Sequence, residues 1–279
     1  MAAEVTVLIP SYNPGDYLQD ALRSVFRQSY RNWHIILVDD ASTDDSVAMF
    51  QDYLSHPKVT LIRNKYNLGQ SRSMNIGLKQ VDTPYVIQLD ADDWLLPRTL
   101  EILVREARKK PEEVAVISGN IRVVVEEKAV GRKEDTPSVF IRKGRNFKDR
   151  WDFLLSNSSV WPRFYRTKAL RSVGGWPTDD PFEGRYMEDK RILMRLIEKY
   201  RFHWIDQVLY VHRRHQYNQT GKMQSYRYIT KWNIIDVLKR WGDLYNPVFS
   251  VDEDGWVYLV KLIPKNPIVE GSSLHSPEA

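Results

Sequence analysis

Three short acidic motifs stand where the sequence changes from an apolar run to a polar one. They are Asp39-Asp40, Asp90-Ala91-Asp92-Asp93 and Glu188-Asp189. Carboxylate oxygens are the ligands that hard divalent cations prefer, and a carboxylate close to a hydroxyl can act as a general base. The residue types therefore indicate metal-assisted or acid–base chemistry carried by carboxylates.

The first two motifs each follow a predicted strand. Short β-branched runs alternate with amphipathic segments over the first hundred residues, which is typical of βαβ units and a mostly parallel sheet. We predict strands at Val5 to Ile9, Ile35 to Val38, Val59 to Ile62 and Tyr85 to Leu89, and helices over residues 15 to 28, after Ser42 and after Pro97. Ligands bind beyond the carboxyl ends of parallel strands, so five acids are expected on one rim of the sheet.

Five acids on one rim repel one another, and a bound divalent cation is the economical explanation for them. Aspartates that follow strands also cap helices, which stays the alternative for Asp44 and Asp45. Farther along, the sequence predicts strands around 114 to 125 and over 202 to 211, loops over 161 to 184, and helices from 188 to 199 and 228 to 241.

Composition excludes several classes of chemistry. The 279 residues include no cysteine, so disulfides, thiolate nucleophiles and cysteine zinc sites are absent. The sequence has no G-x-G-x-x-G, P-loop, G-x-S-x-G or H-E-x-x-H motif, which disfavours dehydrogenases, P-loop kinases, serine hydrolases and zinc proteases. No apolar run is long enough to span a bilayer, so we expect a soluble, cytoplasmic protein. The net charge of +5 does not choose among anionic ligands, a membrane surface and nucleic acid.

Six motifs, in their order and spacing, resemble those of the family 2 glycosyltransferases, over residues 4 to 220. They are Val7-Leu8-Ile9-Pro10-Ser11-Tyr12-Asn13, Val38-Asp39-Asp40-Ala41-Ser42-Thr43-Asp44, Asn67-Leu68-Gly69, Asp90-Ala91-Asp92-Asp93, Gly174-Gly175-Trp176 and Glu188-Asp189. The resemblance implies the α/β GT-A fold, with a Rossmann-like, mostly parallel central sheet and flanking helices. It implies one catalytic domain over 1–220, divided into a nucleotide-sugar half (1–100) and an acceptor half (101–220). A C-terminal helical extension and tail would follow over 221–279.

The resemblance also implies an activity, namely inverting transfer of a sugar from a nucleoside diphosphate to an acceptor hydroxyl. The expected donor is a UDP-sugar, and the expected acceptor is a saccharide, a lipid-linked saccharide or another glycoconjugate. In this view Asp189 is the general base, and Mn²⁺ or Mg²⁺ is held by Asp92 and His215. The residues expected on the nucleotide sugar are Pro10, Tyr12, Asn13, Asp39, Asn67, Arg72, Asp90 and Ala91. Arg72 is the expected substitute for an arginine that the family often has where this chain has Met74.

Other residues carry two interpretations each. Asp93 either supports the metal site or begins the next helix, and Glu188 either orients hydroxyls or belongs to an ordinary helix start. Arg213 and Arg214 suit a diphosphate, or form an exposed basic loop. Trp161 and Trp176 offer faces for an acceptor sugar, or are core residues.

The sequence leaves several partners and functions open. The basic stretch from Arg142 to Arg150 suits an anionic lipid surface at the inner face of a membrane, a lipid-diphosphate acceptor, a nucleic-acid backbone or a solvated loop. A transferase acting on hydroxymethylated bases in DNA is therefore an alternative. A sugar-nucleotide nucleotidyltransferase is disfavoured because Pro10-Ser11-Tyr12-Asn13 stands where its glycine-rich loop would be. A sugar-nucleotide binder without turnover is the non-enzymatic alternative, and the oligomeric state stays open.

Overall fold

The computed structural model describes residues 3–126, 138–215 and 223–265. The strands are β1 (Val5–Ser11), β2 (Trp33–Asp39), β3 (Val59–Arg63), β4 (Tyr85–Gln88), β5 (Trp94–Leu95), β6 (Val114–Val125), β7 (Ser138–Arg142), β8 (Trp161–Arg166), β9 (Arg201–Arg214), β10 (Tyr245–Val251) and β11 (Val257–Pro264). The helices are α1 (Tyr17–Phe26), α2 (Ser46–Met49), α3 (Gln51–Leu54), α4 (Gln70–Gln80), α5 (Thr99–Lys109), α6 (Arg150–Leu155), α7 (Thr167–Ser172), α8 (Glu188–Ile197) and α9 (Met223–Arg240). Within these ranges no helix is both long and apolar enough to cross a membrane.

Nine strands form one mixed sheet in the order β3-β2-β1-β4-β8-β6-β9-β5, with β7 paired to β6. Strands β1 to β4 run parallel to one another, as predicted for the first hundred residues. The prediction of a mostly parallel sheet does not extend to the second half, where β8 is antiparallel to both β4 and β6. The predicted α/β class is confirmed, with helices on both faces of a central sheet whose second half is mixed.

Side-chain alternation along the strands divides the core into two apolar clusters, one on each face of the sheet. In β1, Val7 and Ile9 face the first cluster, whereas Leu8 faces the second. Helices α1 and α5 complete the first cluster, and helices α4, α8 and α9 complete the second. The sheet is therefore covered on both faces, and its strand ends are left for polar residues.

The predicted helices of the first half are present, with one difference. After β2 the chain forms two short helices, α2 and α3, and the Asp44 carboxylate accepts hydrogen bonds from the Ser46 N–H and hydroxyl. Asp44 thus satisfies a free N–H at the start of α2 from the position before the N-cap, whereas Asp45, the N-cap residue, makes no side-chain capping hydrogen bond. A second difference lies after α9, where β10 and β11 form an antiparallel hairpin that the sequence did not predict. Most of the expected tail lies outside the described residues.

A side-chain clasp fixes the turn after α7. The Asn75 amide, on α4, donates 2.7 Å to the Trp176 carbonyl and accepts 2.8 Å from the Trp176 N–H. Gly175 lies beside it with a φ of 75°, and a Cβ there would contact the Asn75 amide oxygen. A glycine is therefore required at 175 by both backbone conformation and space.

Gly77 sets how closely α4 approaches the sheet. A Cβ at this buried position would contact the Leu8 side chain and lie 3.1 Å from the Val38 Cγ2. We expect Gly77→Ala to lower the free energy of unfolding by about 1–2 kcal/mol, because overpacking outweighs the gain in helix propensity. Urea unfolding measures this. The control is Lys79→Ala, an exposed change on the same helix. Gly77→Ala at or above wild-type stability would contradict the close approach.

Candidate active site

The carboxyl ends of β1, β2 and β4 lie side by side on one rim of the sheet. Ser11 pairs in register with Asp39, and Leu8 pairs with Gln88 at the end of β4. Helix α8 begins beside this rim, since the Gln88 amide nitrogen is 3.5 Å from a Glu188 oxygen. The fold thus brings the three acidic motifs to one edge.

At one side of the rim, Asp39 is only 1% exposed. Its Oδ1 accepts 3.0 Å from the Ser42 N–H, and its Oδ2 lies 3.2 Å from the Arg63 Nε. Tyr12, just beyond β1, is 50% exposed, whereas Pro10 is buried within the strand. This corner presents an open aromatic ring next to a carboxylate whose charge is partly offset.

Asn13 ties the loop after β1 to the loop after β2. Its Oδ1 accepts 2.7 Å from the Thr43 N–H and 3.3 Å from the Asp44 N–H, and its own N–H donates 2.9 Å to the Ser42 hydroxyl. Its φ of 48° lies in the left-handed region, which asparagine tolerates better than most residues. Asn13 therefore acts within the loops that surround the corner.

Asp40 holds the segment before α4. One of its oxygens accepts 2.8 Å from both the Asn64 amide and the Leu68 N–H, and the other accepts 2.8 Å from the Gly69 N–H. Three donors offset the charge of this buried carboxylate without a cation. Asp40 is thus a structural member of the rim, and it places residues 67 to 69.

Asn67 and Arg72 contact the loop before α8. Arg185 Nη1 donates 2.7 Å to the Asn67 Oδ1, and Arg72 lies 3.0 Å from Glu183. Arg72 is 41% exposed and Glu183 60% exposed, so this ion pair is weak and can rearrange. The structure brings both residues to the side of the rim facing residues 177 to 187.

The centre of the rim is a carboxylate–guanidinium bridge. Arg163 Nη2 lies 2.6 Å from Asp90 Oδ2, and its Nη1 lies 2.9 Å from Asp189 Oδ2. The same Asp189 oxygen accepts 2.7 Å from the Ser159 hydroxyl, and the other accepts 2.7 Å from the Lys190 N–H. Asp90 also accepts 3.2 Å from the Gln88 amide. One buried cation thus joins the second and third acidic motifs.

Glu188 lies behind this bridge. Burial, and next the charges of Asp189 and Asp90, raise the pKa of Glu188 to about 8, against the opposing effect of Arg163. Burial thus disfavours the charged form of Glu188, while Asp189 keeps Arg163 as a direct ion partner. Two adjacent carboxyl groups are in this way differentiated by their surroundings.

Asp92 and His215 meet on the other side of Asp90. His215 Nε2 is 3.1 Å from Asp92 Oδ2, and its ring lies 4.4 Å from that of Tyr17. Within the described ranges no cluster of three acidic or histidine residues forms a complete metal cage. A carboxylate and an imidazole nevertheless suit Mn²⁺ or Mg²⁺ when substrate phosphates supply further oxygens. Ala91, between the two aspartates, is half-buried against the first apolar cluster.

Asp93 is wholly buried and fully paired. It accepts 2.8 Å from the Tyr210 hydroxyl and 2.8 Å from the Arg213 N–H, and it lies 3.2 Å from His212 Nδ1. Burial and then the charge of Asp92 raise the pKa of Asp93 to about 6. These contacts tie β9 to the Asp90 motif, so Asp93 supports the rim and lies outside any regular helix.

The two arginines of β9 differ in surroundings. Arg213 is buried, lies 2.5 Å from Asp20, and stacks over the rings of Tyr17 and Trp94. Its charge is used within the fold, which corrects the expectation that it is available for a diphosphate. Arg214 is exposed at the end of the strand. Arg214 therefore stays a candidate either for contact with a diphosphate or for an exposed basic loop.

The two tryptophans expected near an acceptor differ in exposure. Trp161 is partly exposed, and its ring centroid lies 5.4 Å from the Arg163 guanidinium. Trp176 is 1% exposed and packs edge-on against Tyr165, so it is a core residue and presents no open face. Only Trp161 of this pair stays a candidate for acceptor contact.

Sequence reasoning missed Arg163, Ser159, Gln88 and Tyr210. The passage from 161 to 184 was predicted as loop and turn, yet it contains β8 and α7. Phe164 and Tyr165 follow Arg163 in that strand and are both buried. A charged residue directly before two large aromatic residues is the signal that could have identified Arg163. Arg163 reaches the rim because β8 runs antiparallel to β4, which pairs Arg163 with Gln88.

The raised pKa of Glu188 predicts a pH-dependent stability. Its folded pKa of about 8 lies above the ordinary glutamate value of 4.5, so the folded chain binds the additional proton between these values. Stability is therefore greatest below the lower value and falls as the pH rises through the higher one. We expect Glu188→Gln to flatten urea-unfolding stability measured between about pH 6 and about pH 8.5. Glu253→Gln, at an exposed position, is the control. An unchanged slope in Glu188→Gln would show that Glu188 is ionised in the folded chain.

Two curated relatives share sequence with this chain. "Putative glycosyltransferase EpsE" of Bacillus subtilis is 31% identical over 74% of this chain and 72% of its own length. "Poly-beta-1,6-N-acetyl-D-glucosamine synthase" of Staphylococcus epidermidis is 25% identical over 63% of this chain and 42% of its own length. Among eight curated relatives, the share of the relative's own length that this chain spans lies between 21% and 72%.

Two solved structures share the fold. S. aureus TarS 1-349 in complex with UDP has a TM-score of 0.57 and 19% identity, over 84% of this chain and 65% of that one. Mannosyltransferase PcManGT from Pyrobaculum calidifontis, in complex with GDP-Man and Mn²⁺, has a TM-score of 0.60 and 18% identity, over 86% of this chain and 65% of that one. The sequence model described as "Glycosyl transferase family 2" matches residues 6–174, which is more than half of the chain. The chain therefore belongs to glycosyl transferase family 2.

Proposed function

We propose that this protein transfers a sugar from a nucleoside-diphosphate sugar to an acceptor hydroxyl, with inversion at the anomeric carbon and the help of a divalent cation. The observation that carries the proposal is the meeting of Asp90, Asp92 and Asp189 on one rim, with Arg163 bridging two of them. Family membership supports the same chemistry.

We propose that the donor is a UDP-sugar that enters beside β1 and β2. Tyr12 offers an exposed ring on which a base can stack, and Asp39 lies at the neighbouring strand end. Each Asp39 oxygen has one protein donor, which leaves a lone pair for the ring N–H of a uracil or a ribose hydroxyl. The UDP complex of TarS, a protein of the same fold, supports this choice of base.

We propose that Asp92 and His215 hold Mn²⁺ or Mg²⁺ together with the donor diphosphate. Such an ion would supply Lewis-acid stabilisation of the charge on the departing diphosphate. The 3.1 Å contact between the two side chains gives an oxygen and a nitrogen donor at one point. The Mn²⁺ in the PcManGT complex supports the choice of metal. Asp90, held by Arg163, is then left to accept hydrogen bonds from sugar or ribose hydroxyls.

Asp189 is the proposed general base. Its Oδ2 already accepts from Ser159 and Arg163, whereas its Oδ1 accepts only from the Lys190 N–H among the described contacts. The remaining lone pair of Oδ1 can take the acceptor proton as the acceptor oxygen attacks the anomeric carbon. The bond to the diphosphate breaks on the opposite face, and its electron pair leaves with the diphosphate.

The proposed acceptor is a saccharide or glycoconjugate. The name of the Staphylococcus epidermidis relative supports a polysaccharide product, and Trp161 supplies a partly exposed ring beside Arg163, the ion partner of Asp189. The exposed residues 142 to 145 follow an exposed apolar strand, β7, which suits a lipid-linked acceptor at a membrane surface. We accordingly propose that the protein works in the cytoplasm, at or near the inner face of a membrane.

Nucleotide binding tests the donor and metal assignments. We expect UDP with Mn²⁺ to raise the melting temperature, since ligand at one hundred times its Kd adds about 2.7 kcal/mol to the stability. Thermal-shift and calorimetric titrations compare UDP, GDP, dTDP and CDP with and without Mn²⁺. Asp92→Ala should lose the metal-dependent part, whereas Asp52→Ala, an exposed change on α3, should bind as wild type does. Absence of binding by every diphosphate would overturn the assignment of the rim.

Turnover tests the base. Asp189→Asn is expected to lower kcat by roughly 10²–10⁴-fold, the usual contribution of a general base, and to keep the affinity for nucleotide and Mn²⁺. The rate of nucleotide release from the donor sugar gives kcat, and NMR of the product gives its anomeric configuration. Retained turnover in Asp189→Asn would exclude this residue as base, and a product of retained configuration would contradict inversion.

A further inference from the structure

Arg163 is an unusual residue for the centre of a strand. It is 2% exposed, and burial of a guanidinium costs free energy unless anions and hydrogen bonds compensate for it. Two carboxylates offset its charge: Nη2 lies 2.6 Å from Asp90 Oδ2, and Nη1 lies 2.9 Å from Asp189 Oδ2. Its Nε has no hydrogen-bond partner among the described residues. The side chain is thus committed to Asp90 and Asp189.

The two partners of Arg163 belong to different parts of the proposed reaction. Asp90 follows β4 and lies on the donor side, whereas Asp189 is in the first turn of α8 and faces the acceptor. A planar guanidinium can hold two carboxylates in a fixed relative orientation, whereas a lysine ammonium is a single point of charge. The geometry therefore links the donor side to the base through one rigid group.

The bridge also determines which oxygen of Asp189 is left for chemistry. Arg163 and Ser159 both donate to Oδ2, from the start of β8 and the loop before it. This directs the carboxylate plane so that Oδ1 keeps an open lone pair. Loss of Arg163 would leave the carboxylate with the Ser159 hydroxyl on Oδ2 and the Lys190 N–H on Oδ1, and would remove the one charged donor that fixes its orientation.

We propose that Arg163 is a positioning residue for the transfer reaction, which couples the donor-side carboxylate Asp90 to the base Asp189 and holds that base in one orientation with a cation beside it. The inference rests on the proposed function. It adds a residue that belongs to none of the acidic motifs and a role that the motifs do not imply.

Several titratable groups face Asp189, and their balance depends on Arg163. On its own helix are Glu188, whose pKa burial raises, and Lys190, whose pKa burial lowers. Asp90 approaches from the end of β4, and the phenols of Tyr165 on β8 and Tyr226 on α9 have pKa values raised by burial and by the charge of Asp189. Arg163 supplies the cation that hydrogen-bonds Asp189, so its removal takes an opposite charge away from that carboxylate.

The experiment compares three variants in the pH dependence of kcat, with nucleotide release from the donor that the wild type turns over. Arg163→Met removes the charge, Arg163→Lys keeps a charge that cannot span both carboxylates, and Arg166→Lys is the matched control. Arg166 lies on the same strand but donates only to the carbonyls of residues 107, 110, 111 and 114, away from the rim. Urea unfolding and UDP–Mn²⁺ titration accompany each variant.

We expect the acid limb of the kcat profile to move up by about one pH unit or more in Arg163→Met, as loss of an adjacent opposite charge predicts. Arg163→Lys should lower kcat at least tenfold with a smaller shift of that limb. Arg166→Lys should be less stable but keep the wild-type kcat and limb. A purely structural role of Arg163 would not shift the acid limb in the Arg163 variants while leaving it in place in Arg166→Lys.

Two results would overturn the inference: an acid limb that stays in place in folded Arg163→Met, or an equal shift in Arg166→Lys. Should Arg163→Met fail to fold, Arg163→Lys decides, because wild-type kcat in that variant would show that bridging is dispensable. No turnover by the wild type with any nucleotide sugar would instead contradict the proposed function. If the wild type turns over and the acid limb does not move in Arg163→Met, only the proposed role of Arg163 is contradicted.

Discussion

Mutual repulsion among carboxylates at one edge of the sheet is the constraint on which the rest of the structure depends. Seven acidic groups lie along this edge, and most are buried or half-buried. Their compensations differ: backbone and amide donors for Asp40, Arg63 for Asp39, His215 for Asp92, a phenol and a histidine for Asp93, Arg163 for Asp90 and Asp189, and a raised pKa for Glu188. The loops and strands around the rim are placed by these compensations.

The carboxylates divide into those that hold the chain and those that keep open lone pairs. Asp40 and Asp93 have donors on both oxygens and fix the segment before α4 and the end of β9. Asp189 has one oxygen doubly occupied and the other with spare capacity. The same residue type therefore serves both purposes, and the number of donors that reach each carboxylate decides which.

The acidic motifs and most first-half elements could be predicted because they depend on neighbours in sequence. Alternation in β1 and the three-and-four spacing in α1 identify the buried faces directly. Helix α4 was not predicted, because Ser71, Ser73 and Gly77 occupy much of its buried face in place of large apolar residues.

Arg163 could not be assigned in this way, since its partners Asp90 and Asp189 are 73 and 26 residues away. The sequence could not choose between the two interpretations of Trp176 for a related reason: this tryptophan lies in a loop, and tertiary packing on Tyr165 buries it. The β10–β11 hairpin escaped prediction because most of its residues are exposed or only partly buried.

The clasp between Asn75 and the turn at residues 174 to 176 has a consequence for sequence variation. The Asn75 amide satisfies both backbone groups of Trp176, and the absence of a side chain at Gly175 leaves room for it. A longer side chain at 75 would lose these hydrogen bonds, and any side chain at 175 would displace the amide. Positions 75 and 175 are 100 residues apart in the printed sequence, yet they are expected to vary together across related chains, so that an asparagine at one accompanies a glycine at the other.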